Sequence, residues 1–222
     1  MIKLSAADRV IAAFILFVAL LLVLRIGYAN NIRYVFLLWN LFLAWIPFQF
    51  SVMLTAHQPK NRWYKYFLLS CWLLFFPNAL YIITDLIHLE DSRGDVPVWF
   101  DAVLLFTSSV AGLIMAFVSL YQVEMYLQQN INKKHVSSFV LLALFLGSFG
   151  VYIGRFLRWN SWDIVTNPLS LLMEIAARIA MPFQHYHTWA VTVLLTGLFS
   201  LLYFGVKKLP GLLQEPEGWQ EE

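Results

Sequence analysis

The chain has 222 residues, of which 60% are hydrophobic and 13% charged, with a formal net charge of +2. Soluble domains hold about 45–50% apolar and roughly 25% charged residues, so this chain has too few charges to cover a water-facing surface and too much apolar matter for disorder. So small a net charge gives no electrostatic footprint for nucleic acid, and an integral membrane protein remains.

A hydrocarbon core of about 30 Å needs roughly 20 apolar residues of helix. Uncharged runs between ionisable residues predict six spans, at about 10–29, 34–56, 66–84, 102–123, 136–154 and 188–206. The first run, Val10–Leu24, is short and extends to Ala29 if Arg25 snorkels to the interface. Its basic start resembles a signal peptide. It lacks a clear small-residue cleavage site, and five more spans follow, so it reads as a retained helix.

Between the fifth and sixth spans, Pro168–Met181 is too short to cross and carries Glu174 and Arg178 at an i, i+4 spacing. Asn167 is a candidate N-cap and Pro168 suits the first helical position. Leu171, Leu172, Ile175 and Ile179 are expected on one apolar face. The segment reads as an interfacial amphipathic helix at about 168–181, with a re-entrant segment as the alternative. The fold class is therefore all-α: a single polytopic bundle of six transmembrane helices plus one interfacial helix, ending in a polar tail at 210–222. No linker divides the chain, and no internal repeat is evident. Cys71 lies in an apolar run and reads as a small core residue.

With six spans, Lys3, Arg9, Lys60, Arg62, Lys65, Lys133, Lys134, Lys207 and Lys208 fall on one side. They outnumber Arg25, Arg33, Arg93, Arg155, Arg158 and Arg178 on the other, which predicts cytoplasmic termini.

The opposite side gathers acids, arginines and imidazoles. Asn78, Tyr81, Asp85 and His88 are spaced 3, 4 and 3, so an α-helix would place them on one face. Pro77 should kink that helix. Asn40, Asn78 and Ser108 are expected at similar depth, where interhelical hydrogen bonding would account for them. Gly150 and Gly154 form a GxxxG pattern that permits close helix approach. It leads into Arg155 and Arg158, then Trp159, Asn160, Ser161, Trp162 and Asp163.

Two readings of this cluster compete. In one, Arg155 and Arg158 pair with Asp85, Asp101 or Asp163 as structural ion pairs. In the other, Asp85, His88 and Asp101 are catalytic, and Asn78, Tyr81, Arg155, Arg158 and Asp163 bind substrate. A divalent metal such as zinc, if one is bound, would draw its ligands from Asp85, His88, His185 and His187. No HExxH, paired-cysteine or Walker-type motif supports a cofactor, and Ser161 lacks a nucleophile-elbow context.

Three stretches, 38–48, 72–89 and 154–163, resemble a bacterial multi-pass membrane family known as domain of unknown function 1361. The resemblance covers roughly Trp39 to Phe204. Leu80 stands where members often have proline. The likeness implies a bacterial inner-membrane protein and brings no activity with it.

Three functional classes follow. The first is a membrane-embedded enzyme acting on a lipid or lipid-linked substrate, with arginine forks holding a phosphate or carboxylate. The second is a scaffold or assembly factor that binds another membrane protein. The third is a small-solute transporter, for which the inner halves of the spans offer only Gln49, Ser51, Thr55, Ser119 and Gln122.

Overall fold

The first helix starts where the sequence supplies a reciprocal cap. The Ser5 hydroxyl accepts from the Asp8 amide, and the Asp8 carboxylate accepts from the Ser5 amide. Two otherwise orphaned donors are thereby satisfied at once. Helix α1 runs Ala6–Ala29 and stops at Asn30, which takes a left-handed conformation at φ 53°. Asn tolerates that region better than most residues.

The structure, a computed structural model, describes residues 5–56, 59, 61–90, 95–130, 132–160 and 162–213. Lys3, His57, Lys60, Arg93, Ser161 and the tail beyond 213 lie outside these residues. After α1 come α2 (Phe36–Ala56), α3 (Arg62–Tyr81), a 3₁₀ helix (Ile82–Leu89) and α4 (Val98–Asn130). Then follow α5 (Lys133–Phe156), the short α6 (Asp163–Thr166), α7 (Pro168–Ala180) and α8 (Tyr186–Leu213). No strand occurs among the described residues.

Six of these segments are long and apolar enough to cross a bilayer: α1, α2, α3 with its 3₁₀ extension, α4, α5 and α8. The protein is an all-α membrane bundle. Helix α4 is its axis, the most buried of the six, while α8 is the least buried. The core is continuous and includes the fully buried Trp72, Phe76 and Leu80 of α3, Phe48 of α2 and Met115 of α4. The outward faces are just as apolar: Leu16, Phe106, Leu194 and Leu201 are all exposed. In water such a surface would cost about 25 cal/mol per Å² of apolar area; in a bilayer it is solvated by lipid.

Small residues set how closely the helices approach. A Cβ on Gly150 would lie 2.6 Å from Cγ of Pro77, and one on Gly147 would lie 2.8 Å from Cδ1 of Leu80. The α3/α5 seam therefore runs along Gly147 and Gly150. At Gly154 the nearest atoms, on Tyr81, are an ordinary 3.4 Å away. On the other flank of α3, Gly112 lets α4 meet Ile82 and Ala79.

Pro77 lies inside α3, and the chain continues helically past it to Tyr81 before tightening into the 3₁₀ segment. Two hydroxyls bond to carbonyls at this junction. Thr84 donates to Tyr81 O at 2.6 Å and Ser109 of α4 donates to Ile82 O at 3.2 Å. The change of helix type alters which residues share a face. The single stripe expected from a 3.6-residue repeat ends at Tyr81. Beyond it Asp85 and His88, three apart, are eclipsed on a three-residue repeat.

Helix α7 begins at Pro168, with Asn167 before it, but the Asn167 side chain makes no capping bond. The Glu174–Arg178 ion pair forms at 2.9 Å, and Arg178 also donates to Glu174 O. The apolar residues of α7 divide between two faces. Leu169, Leu172, Met173 and Ile179 are exposed, whereas Leu171 and Ile175 turn inward against the bundle. The single apolar face expected for this segment is thus split.

Candidate functional site

Two buried arginine–aspartate pairs lie at the same end of the bundle. The first joins α5 to the 3₁₀ helix. Arg155, next to last in α5, pairs with Asp85, whose side chain is 1% exposed. Arg155 Nε donates to Thr84 Oγ1 at 2.8 Å, and its guanidinium lies over the Tyr81 ring at 4.3 Å. The other Asp85 oxygen accepts from the Asn40 amide of α2 at 2.8 Å. Arg155 Nη1 lies 3.2 Å from His88 Nε2. Arginine has only donors, so in this pair Nε2 accepts and the imidazole carries its proton on Nδ1. His88 also packs edge-on against Phe36, and its carbonyl accepts from the Tyr34 hydroxyl at 3.0 Å.

The second pair joins α1 to α4. Arg25 Nε donates to Asp101 at 2.7 Å, and both side chains are at most 2% exposed. Arg25 also donates to Asn31 Oδ1 at 2.6 Å and stacks on Tyr34 at 4.4 Å. Asn31 passes the network to Asp95 at 3.2 Å. The snorkelling expected of Arg25 is therefore corrected: its head turns inward because a buried carboxylate satisfies it better than the interface can. Asp101 is correspondingly committed to Arg25.

The remaining sequence candidates are dispersed. Arg158 is exposed, in a left-handed conformation at φ 60°. Asp163 is occupied locally, accepting from the Asn160 amide at 2.6 Å and from Thr166 Oγ1 at 3.2 Å. His185 precedes α8 and His187 lies in its first turn, its ring tilted by 32° to that of Tyr186 with centroids 4.0 Å apart. Among the described residues no three His, Cys, Asp or Glu side chains gather as a metal ion would require. Ser108 donates to its own helix at Leu104 O, while Asn40 and Asn78 line one shared cavity.

That cavity is a groove of about 480 Å³, with α3 as its floor. The floor is one helical face: Ser70, Leu73, Leu74, Pro77, Asn78 and Tyr81. At ~1.5 Å per residue it is about 16 Å long. One wall is α2, through Trp39, Asn40 and Leu43; the other is α5, through Leu146, Phe149, Gly150 and Ile153. Trp159, Asn160, Trp162 and Ile164, with Leu171 and Ile175 of α7, cover it. Asn40 and Tyr81 belong to both the groove lining and the Arg155 network. Asp85, His88 and Arg155 stand behind them, outside the lining.

Sequence reasoning missed a further cluster at the opposite end. Glu124 of α4, 5% exposed, accepts from the Tyr203 hydroxyl and from Lys207 Nζ of α8, each at 2.5 Å. The signal was present: Glu124 ends one apolar run, and Lys207 ends another on the same side. Ser51, Thr55, Ser119 and Gln122, four of the polar residues weighed for a transport path, bond within the bundle. Ser51 donates to Phe48 O and reaches Gln122, Thr55 donates to Ser51 O, and Ser119 donates to Ala116 O and accepts from Trp72.

Six lipid-facing helices with their charges folded into buried pairs define a polytopic α-helical membrane protein. Residues 39–202 match the family described as "Protein of unknown function (DUF1361)", and the chain belongs to that family. The matched region contains the groove, Arg155 and Asp101, and leaves Arg25 outside. No curated protein and no solved structure matches the chain.

Proposed function

We propose that the protein admits a lipid or lipid-linked substrate sideways from the bilayer into the groove between α2, α3 and α5. The observation that carries this is the order of the lining. Leu73, Leu74, Leu146 and Phe149 supply an apolar run, and Asn40, Asn78, Tyr81 and Asn160 supply polar groups towards the Arg155 network. An amphipathic ligand has the same order. The floor, about 16 Å long, is about half of a hydrocarbon core of ~30 Å. Concave, mostly apolar sites with a few placed polar groups are the usual form of small-molecule sites.

In this reading Asp85, Arg155 and Thr84 are positioning residues. They hold the Asn40 amide and the Tyr81 ring at the polar end. An enzymatic step is a second reading, and it rests on the imidazole of His88 beside Arg155, behind the groove lining. The orientation assigned to the bundle is cytoplasmic termini in a bacterial inner membrane, with the Asp85 end outside; the basic-residue bias supports it.

Native mass spectrometry after gentle extraction tests the reading. The protein is expected to retain lipid, and Leu74→Trp, which fills the groove, to release it while melting normally. Unchanged lipid retention in Leu74→Trp would overturn the proposal. For orientation, a Glu90→Cys variant lacking Cys71 should react with an impermeant maleimide in intact cells. Reaction only after permeabilisation would reverse the assignment.

A further inference from the structure

The groove's polar end is neutral and rimmed by indoles. Among the described residues no Lys, Arg, Asp, Glu or His lines it. Among the same described residues its polar side chains are the three amides of Asn40, Asn78 and Asn160 and the Tyr81 phenol, with the Ser70 hydroxyl at the far end of the floor. Arg155, behind the lining, is paired with Asp85 and also engages Thr84 and His88, and the exposed Arg158 is not part of the lining. A phosphate or carboxylate drawn into this end would lose its water without gaining a counter-charge, which is a large penalty. Charge complementarity therefore selects an uncharged headgroup.

Three indoles stand at the same place. Trp39 of α2 and Trp162 of the covering segment are both about half exposed, with ring centroids 6.4 Å apart, and Trp159 lines the groove beside them. Flat, open indole faces next to amides suit a ligand that has an apolar C–H face and a rim of hydroxyls. A pyranose ring has both: its axial hydrogens stack on an aromatic face, and its hydroxyls can exchange hydrogen bonds with Asn side chains, which donate and accept. A headgroup with fewer hydroxyls, such as glycerol, would make fewer of these hydrogen bonds.

We infer that the headgroup bound at the mouth of the groove is an uncharged sugar, so that the ligand is a glycolipid whose hydrocarbon lies along α3. This inference rests on the lipid reading above.

The test is competitive native mass spectrometry on the full chain in a nonionic, sugar-free detergent. The protein is offered an equimolar mixture of monoglucosyl diacylglycerol, diacylglycerol and phosphatidylglycerol with identical acyl chains. The glucosyl lipid should be retained over each of the others by about tenfold. In Trp162→Leu and Asn160→Ala that preference should fall towards unity while diacylglycerol remains bound. Either equal retention of the three lipids or preference for phosphatidylglycerol overturns the sugar assignment and leaves the lipid groove intact. If instead Leu74→Trp retains all three lipids as the parent does, the groove itself is not the binding site, and the inference falls with it.

Discussion

The two arginine–aspartate pairs at one end of the bundle use the same chemistry in different surroundings. Arg25–Asp101 is sealed, with both side chains at most 2% exposed and an aromatic ring and an Asn completing the shell. In Arg155–Asp85 the carboxylate is equally buried, but the arginine side chain is 12% exposed and the pair shares Asn40 and Tyr81 with a groove. The first pair ties α1 to the axial helix. The second holds the polar end of a cavity. Ion pairing alone therefore does not mark a site; what the pair's other neighbours touch does.

This contrast can be broken most severely at the sealed pair. Asp101→Asn leaves Arg25 charged and buried, and should lower stability by about 3–5 kcal/mol. Thermal melting in detergent reads the loss. The double variant Arg25→Met/Asp101→Leu, with no charge left to satisfy, should recover most of it. If Asp101→Asn melts like the parent, the sealed pair does not staple the bundle.

A smaller loss is expected at the α3/α5 seam. Gly150→Ala sets a Cβ against the Pro77 ring, whose Cγ would lie 2.6 Å away. Overpacking of this kind costs about 1–3 kcal/mol. Gly154→Ala meets only ordinary contacts and should be milder. A reversed order in their melting temperatures would show that the seam does not run along Gly147 and Gly150.

The smallest effect on stability is expected at His88. Arg155 keeps Asp85, Thr84 and Tyr81 when the imidazole is gone. His88→Ala should insert and accumulate normally, with a loss of less than about 1 kcal/mol. If the pair serves chemistry at the groove, this variant fails to complement a deletion strain. Complementation at normal abundance would confine His88 to packing.

Much of the fold was legible because the bilayer enforces it. Uncharged runs must be helices when no water is present to satisfy the backbone, and among the described residues six helices are long and apolar enough to cross a membrane. The pairing of Arg155 with Asp85 was among the ion-pair alternatives weighed from the sequence. Three features were not legible. The switch to a 3₁₀ helix after Tyr81 depends partly on Ser109 of α4, a tertiary contact. It separates Asn78 and Tyr81, which face the groove, from Asp85 and His88, which do not. The inward turn of Arg25 depends on Asp101, 76 residues away. The Glu124–Lys207 contact spans 83 residues. Charges at span boundaries announce that partners are needed, and only packing decides which ones they find.

The most direct measurement is the position of a ligand's hydrocarbon. A lipid with a diazirine in its acyl chain, irradiated with the protein in membranes and mapped by peptide mass spectrometry, would report it residue by residue. The account predicts dominant adducts on Leu73, Leu74, Leu146 or Phe149, lost in Leu74→Trp. Adducts spread evenly over the outward faces, at Leu16, Phe106 and Leu201, with none in the groove, would contradict it.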